Sequence, residues 1–205
     1  MHYQKFLLFV ALIVSFSRLQ AQTSAKDRLY LVFQEPYQKK AAFINHKGKI
    51  PFELPEKYTI KDWAYAQMYD YFQKGICLVY DKDKNYYALN RKGKIIHNFG
   101  KTIAKHTNGK VLHVIKNRRS ALMDLNFKLL TDFKYRSIED FSEGLAVAVD
   151  EDRRWVFLNE KGEEVVETAF NEPSRSSQRA LFPKFKNGLV RFAQNGKIGY
   201  LNTKG

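Results

Sequence analysis

From Gly144 the chain reads Leu-Ala-Val-Ala-Val, an alternation that puts Leu145, Val147 and Val149 on one side of a pleated strand and Ala146 and Ala148 on the other. Residues 150–154 are all charged. Burying them unpaired is costly, so they are expected to form a solvent loop. Trp155, Val156, Phe157 and Leu158 then supply a second β-prone run. Asn159-Glu160-Lys161-Gly162 is expected to turn the chain, with Asn bonding its own downstream backbone and Gly taking a positive φ. A type I turn with a G1 bulge fits that order. Val165 and Val166 begin a short third strand.

The same pattern recurs. Gly144 and Gly162 are eighteen residues apart, as are Gly75 and Gly93, and Gly188 and Gly205 are seventeen apart. Five copies are predicted, near residues 27–54, 72–99, 106–133, 141–170 and 185–205, with a period of about thirty-five residues set by glycines 75, 109 and 144. Copy one lacks the opening glycine but keeps its two strands and the turn at Asn45-His46-Lys47-Gly48. In copy three Phe127 stands at the turn-glycine position, and Asn126 is expected to take over the positive φ there. Asn45, Asn90, Asp124, Asn159 and Asn202 hold one fixed place before each turn, which reads as turn chemistry and not as a catalytic residue. Extra residues fall in two insertions, at 58–70 and 172–179, of the kind that loops tolerate.

These units resemble the WG repeat, a short β-rich repeat whose copies read as Phe, two residues, Gly-Leu, a strand, a basic residue, Trp-Gly, an aromatic, an aliphatic, Asn or Asp, and Lys-Gly. The resemblance runs from Asp27 to Gly205. Trp155 has the Trp without the Gly, and Gly199 the Gly without the Trp. The resemblance implies a β-repeat architecture and brings no catalytic residue and no cofactor. Physical chemistry points the same way, because one hairpin cannot bury its apolar face in water while stacked neighbours can. The expected fold is all-β, a tandem array of five hairpin or three-stranded units side by side. An open, solenoid-like array is favoured, with a small β-propeller as the alternative. Gly205 falls where other copies start a third strand, so copy five is expected to want a cap from elsewhere.

Residues 1–21 differ from the rest. Lys5 precedes an eleven-residue, almost uninterrupted apolar run at 6–16, and Ala21 offers a small residue for cleavage. As a helix that run spans about 16 Å, against about 30 Å of hydrocarbon. A signal peptide is therefore expected at 1–21, with a periplasmic or extracellular repeat domain at 22–205 and no transmembrane span in it. Cys77 is the sole cysteine, so no internal disulfide forms, and it stands where other copies carry Val111, Ala146 and Val190. It is expected to be a small buried hydrophobe.

No catalytic constellation or metal site is predicted. His46, His97, His106 and His113 lack ligand spacing. The acidic runs at 81–85 and 150–154 lack the calcium-loop schedule and read as hairpin tips. Two alternatives to a plain binding module are carried. A hydrolase acting on wall or carbohydrate material would need paired carboxylates, for which Asp62, Asp70, Glu167 and Glu172 are the candidates. A glycan-binding array would use Tyr86, Tyr87, Trp155 and Tyr200 on equivalent second strands, although packing between strands accounts for such aromatics too.

Charge gives the most specific expectation. Without residues 1–21 the chain keeps 33 basic against 21 acidic residues, a formal +12. Basic residues recur before each second strand, at Lys39 and Lys40, Lys84, Arg118 and Arg119, Arg153 and Arg154, and Lys197. A second row follows from the turns, at Lys47, Lys92, Lys161 and Lys204. In register these would form basic ridges able to attract an acidic polysaccharide, lipid headgroups or nucleic acid. Hairpin-end cations also serve simply to keep strands soluble. The expected protein is a non-enzymatic interaction module without a cofactor.

Overall fold

The computed structural model describes residues 29–33, 41–60, 72, 74–108, 110–171, 183–194 and 197–205. Residues 1–21, Lys39 and Lys40, Asp62, Asp70, Gly109 and Glu172 lie outside them. Among the described residues the chain is all-β, with no helix long and apolar enough to cross a membrane. Its strands form five small antiparallel sheets, one for each predicted copy.

Copy one folds as β1 (Tyr30–Phe33), β2 (Ala41–Ile44) and β3 (Phe52–Leu54), and copy two as β4 (Tyr58–Ile60), β5 (Cys77–Asp81), β6 (Tyr86–Leu89) and β7 (Ile95–Gly100). Copy three has β8 (Ile103–His106), β9 (Val111–Lys116) and β10 (Arg119–Asp124), and copy four has β11 (Ser137–Ile138), β12 (Leu145–Val149), β13 (Arg154–Asn159) and β14 (Glu164–Asn171). Copy five contributes β15 (Leu189–Gln194) and β16 (Lys197–Asn202).

Hairpins or three-stranded units were the expectation, and copies two and four have four strands. The added strand precedes the opening glycine and pairs along the free side of the first hairpin strand: Tyr58 opposite Asp81, Ile103 opposite Ile115, Ser137 opposite Val149. The reason is the backbone. The outer edge of that strand carries donors and acceptors that need partners, and the linker passes beside it. In copy three the third strand shrinks to one bridge, between Met123 and Leu129.

The chain divides into two compact units, Met1–Asp83 with Tyr87–Ile96, and Lys84–Tyr86 with His97–Gly205. In the first, Phe43, Leu54, Phe72, Cys77, Val79 and Leu89 form one core, with Phe43 and Phe72 edge to face at 4.9 Å. Cys77 is fully buried there, as expected.

In the second unit the alternation of β12 and β13 acquires a meaning. Ala146, Ala148, Val156 and Leu158 pack with Val111, Leu122 and Tyr135 from the side of copy three. Val147, Val149, Trp155 and Phe157 pack with Phe185, Val190 and Leu201 of copy five. Sheet four is therefore buried on both faces, a sandwiched layer, which is why a Leu-Ala-Val-Ala-Val strand has almost no polar side.

Every turn Asn or Asp does what its position predicts. Its Oδ1 accepts the backbone N–H two residues on, at 2.9 Å for Lys47, Lys92, Asn126, Lys161 and Lys204. The fourth residue donates back to its carbonyl, as Gly48, Gly93 and Gly162 do at 2.9–3.0 Å. Copy three corrects one expectation: Phe127 itself takes φ 66, and Asn126 does not substitute for it. The bonding pattern demands a left-handed fourth residue whatever its side chain. The strain is offset by packing, since the Phe127 ring stacks on His97 at 4.3 Å and meets Phe99 edge-on at 5.8 Å. The opening glycines belong to a second tight turn. Glu143 and Gly144, like Asn187 and Gly188, both have positive φ, and Ser142 with Leu145, and Lys186 with Leu189, close type I′ turns by reciprocal bonds.

Candidate basic edges

The turns line up because of one recurring contact. A Cβ at Gly93 would lie 2.7 Å from the Phe52 ring of the preceding copy. A Cβ at Gly162 would meet Leu130 O at 2.9 Å and Thr131 Cγ2 at 2.9 Å, and one at Gly205 would meet Val166 at 2.6 Å. Phe127 fills the same role by stacking on His97. Phe52, His97, Thr131 and Val166 each stand four residues after the turn position of their own copy. Gly93, Phe127, Gly162 and Gly205 thus each seat on the start of the strand that follows the previous turn.

These lysines are bare. Lys47, Lys92, Lys161 and Lys204 are exposed and make no ion pair among the described residues, and Lys49 and Lys94 add two further exposed cations in the first unit.

The other row, at the hairpin tips, is mixed in sign. Lys84, Arg118 and Arg153 are exposed and all carry positive φ, at 60°, 60° and 67°. A position that favours Gly or Asn therefore holds a cation at each of these tips, at a backbone cost of about 1 kcal/mol apiece. Copies three and four meet tip to tip, with Arg119 3.1 Å from Glu151. Arg154, however, is surrounded by Asp150 at 3.0 Å, Asp152 at 3.1 Å and Glu167 at 2.7 Å. The hydrogen bond that Arg154 donates to Asp150, then the Asp150 charge, raises the Arg154 pKa further. Lys197 is exposed at the start of β16, opposite Gln194. Arg119 and Arg154 are therefore engaged inside the fold.

Acids elsewhere in the second unit are engaged in the same manner. Glu160 holds Lys110 at 2.7 Å and Asn108 at 2.7 Å, and Asp140 holds Lys184 at 2.9 Å. Glu143 caps the opening turn of copy five by accepting from the amides of Asn187 at 2.6 Å and Gly188 at 2.8 Å. Glu164 accepts from Lys134 at 2.7 Å and from the buried Tyr135 hydroxyl at 2.6 Å. Burial first, then this bond, pushes the Tyr135 pKa up. The Glu164 carboxyl is held below the usual range, chiefly by Lys134 and then by Tyr135. Because that folded-state pKa is depressed, its stabilising effect is complete above the unfolded value near 4.3 and fades as pH falls through the folded one. Urea midpoints at pH 7 and pH 3 are expected to fall less in Glu164→Gln than in the parent chain; equal falls would exclude this linkage.

The remaining candidates are placed without chemistry. His113 is buried in β9 with Nε2 2.9 Å from Ser120 Oγ. Burial lowers the pKa of His97. Glu167 is committed to Arg154. Of the second-strand aromatics, Trp155 is buried, Tyr87 is partly buried with its hydroxyl donating to Asp81 at 3.0 Å, and only Tyr200 is well exposed. Trp155 therefore has no face to offer a sugar. The tip-to-tip pairing, the Glu143 clamp and the lysines that directly follow the turn glycines were not anticipated. Lys49 and Lys94 carried a readable signal, each one residue after its turn glycine.

Among solved structures the chain is similar to BamB from Moraxella catarrhalis, at 12% identity and a TM-score of 0.42, covering 88% of this chain and 60% of that one. It is also similar to KlHsv2 with loop 6CD replaced by a Gly-Ser linker, at 11% identity and a TM-score of 0.45, covering 86% and 64%. The chain thus spans less than two thirds of the length of either structure. No curated protein matches it by sequence. Residues 122–153, from the second strand of copy three through its turn to the tip of copy four, match the family described as WG containing repeat, so the chain carries a WG repeat over that stretch.

Proposed function

We propose that this WG repeat-containing protein is an exported, non-enzymatic binding module that holds a polyanion along its basic turn edges. One observation carries the reading: in the second unit most described acids bond inside the fold, whereas the turn lysines of both units stand exposed and make no ion pair among the described residues. A net positive chain whose acids are engaged internally presents its excess outward, where it raises the local concentration of an extended anion. The tip row contributes less, because Arg119 and Arg154 are compensated by acids.

Retention on heparin and on nucleic-acid matrices across a salt series tests this. Affinity is expected to fall steeply with salt, with a log-log slope of about 0.9 per phosphate contacted on duplex DNA. A protein that washes through both matrices at low salt is not a polyanion binder.

A further inference from the structure

Five of the eight large exposed hydrophobics among the described residues fall two or three positions after the fourth residue of a turn: Ile50, Ile95, Ile96, Leu129 and Val165. Scattered surface hydrophobics are ordinary, but recurrence at one position of a repeat is not scatter. In the first unit the turn residues that precede them carry cations and no acid. Ile50 follows Lys47 and Lys49, and Ile95 and Ile96 follow Lys92 and Lys94, with the isoleucines 42–47% exposed. The Gly93–Phe52 contact sets these two turns side by side. The second unit differs in copy four, where Val165 follows Glu163 and Glu164.

We propose that the turn edge of the first unit docks onto an anionic lipid bilayer, with Lys47, Lys49, Lys92 and Lys94 on the headgroups and Ile50, Ile95 and Ile96 in the interface below them. This rests on the polyanion reading and narrows it. A soluble polyanion uses the four lysines and has no use for the three isoleucines, whereas a bilayer rewards both, through charge at its surface and apolar area at the acyl boundary. Aliphatic residues flanked by bare ammonium groups are complementary to that layered chemistry. The corresponding edge of copy four is not, because its carboxylates are repelled by the same headgroups.

The test uses residues 22–205, the proposed exported form, in flotation with vesicles of phosphatidylcholine alone or with about one third phosphatidylglycerol. The parent chain is expected to float with the anionic vesicles only. The variant I50S/I95S/I96S keeps every charge and is expected to lose that binding by about tenfold or more while eluting from heparin at the parent's salt concentration. V165S is expected to float as the parent does. Melting curves that coincide with the parent's confirm that the serine variants are folded, and if the triple variant melts early, I50S alone carries the same comparison. The inference is overturned by an isoleucine variant that floats like the parent, by a parent that ignores anionic vesicles, or by flotation with phosphatidylcholine alone. Loss of heparin retention in the parent would instead sink the polyanion reading itself.

Discussion

Replacing Phe157 with alanine is expected to destabilise the second unit by about 3–5 kcal/mol, because the ring is fully buried and its neighbours come from two copies. Within sheet four Phe157 pairs with Val147 on one side and Val166 on the other. Beyond the sheet it meets Phe185 of copy five edge to face at 4.9 Å, in a cluster with Val190 and Leu201. Truncation loses the transfer energy of the ring and leaves a cavity between two layers that cannot easily close. Phe192, only partly buried against Phe170, is expected to cost markedly less when truncated. Urea unfolding followed by fluorescence of the adjacent Trp155 measures both. A Phe157→Ala loss below about 1 kcal/mol would mean that copies four and five are not packed through this ring.

The second large effect separates two jobs of the turn glycine. Gly48 and Gly93 have the same backbone, φ 72° and 73°, yet a Cβ at Gly48 meets nothing within 4 Å while one at Gly93 falls 2.7 Å from Phe52. Gly48→Ala is therefore expected to cost about 1–2 kcal/mol, the left-handed penalty alone. Gly93→Ala adds overpacking against a ring already enclosed by Phe43 and Phe72, for a total of about 2–5 kcal/mol. Thermal melts of the two variants would decide, and equal losses would remove the seating of one turn on the previous copy from the account.

What could be read in the sequence was whatever is encoded within a copy. The Leu-Ala-Val-Ala-Val alternation, the Asn before each turn and the spacing of Gly75 to Gly93 and Gly144 to Gly162 announced strands, turns and repetition. Strands such as Ser137–Ile138 and Tyr58–Ile60 stayed hidden, since two or three residues show no period and their partner residues lie ten or more positions away. Phe127 was misjudged because its left-handed backbone is dictated by hydrogen bonds and stabilised by His97, thirty residues earlier. The basic rows were visible, but not which cations were already taken. Arg119 finds Glu151, and Lys110 finds Glu160 fifty residues on, only once the copies are stacked.

Salt-gradient elution from heparin of three proteins tests the central claim, that the turn edges and not bulk charge hold the anion. One is the parent, one carries Lys47, Lys49, Lys92 and Lys94 each replaced by Gln, and one carries Lys82, Arg136, Lys186 and Arg191 each replaced by Gln, all exposed and outside both rows. Both variants lose four positive charges. The account predicts that the turn-edge variant elutes at clearly lower salt than the other, with a shallower dependence on salt. Equal shifts in the two variants would contradict it and leave only the net charge of the chain.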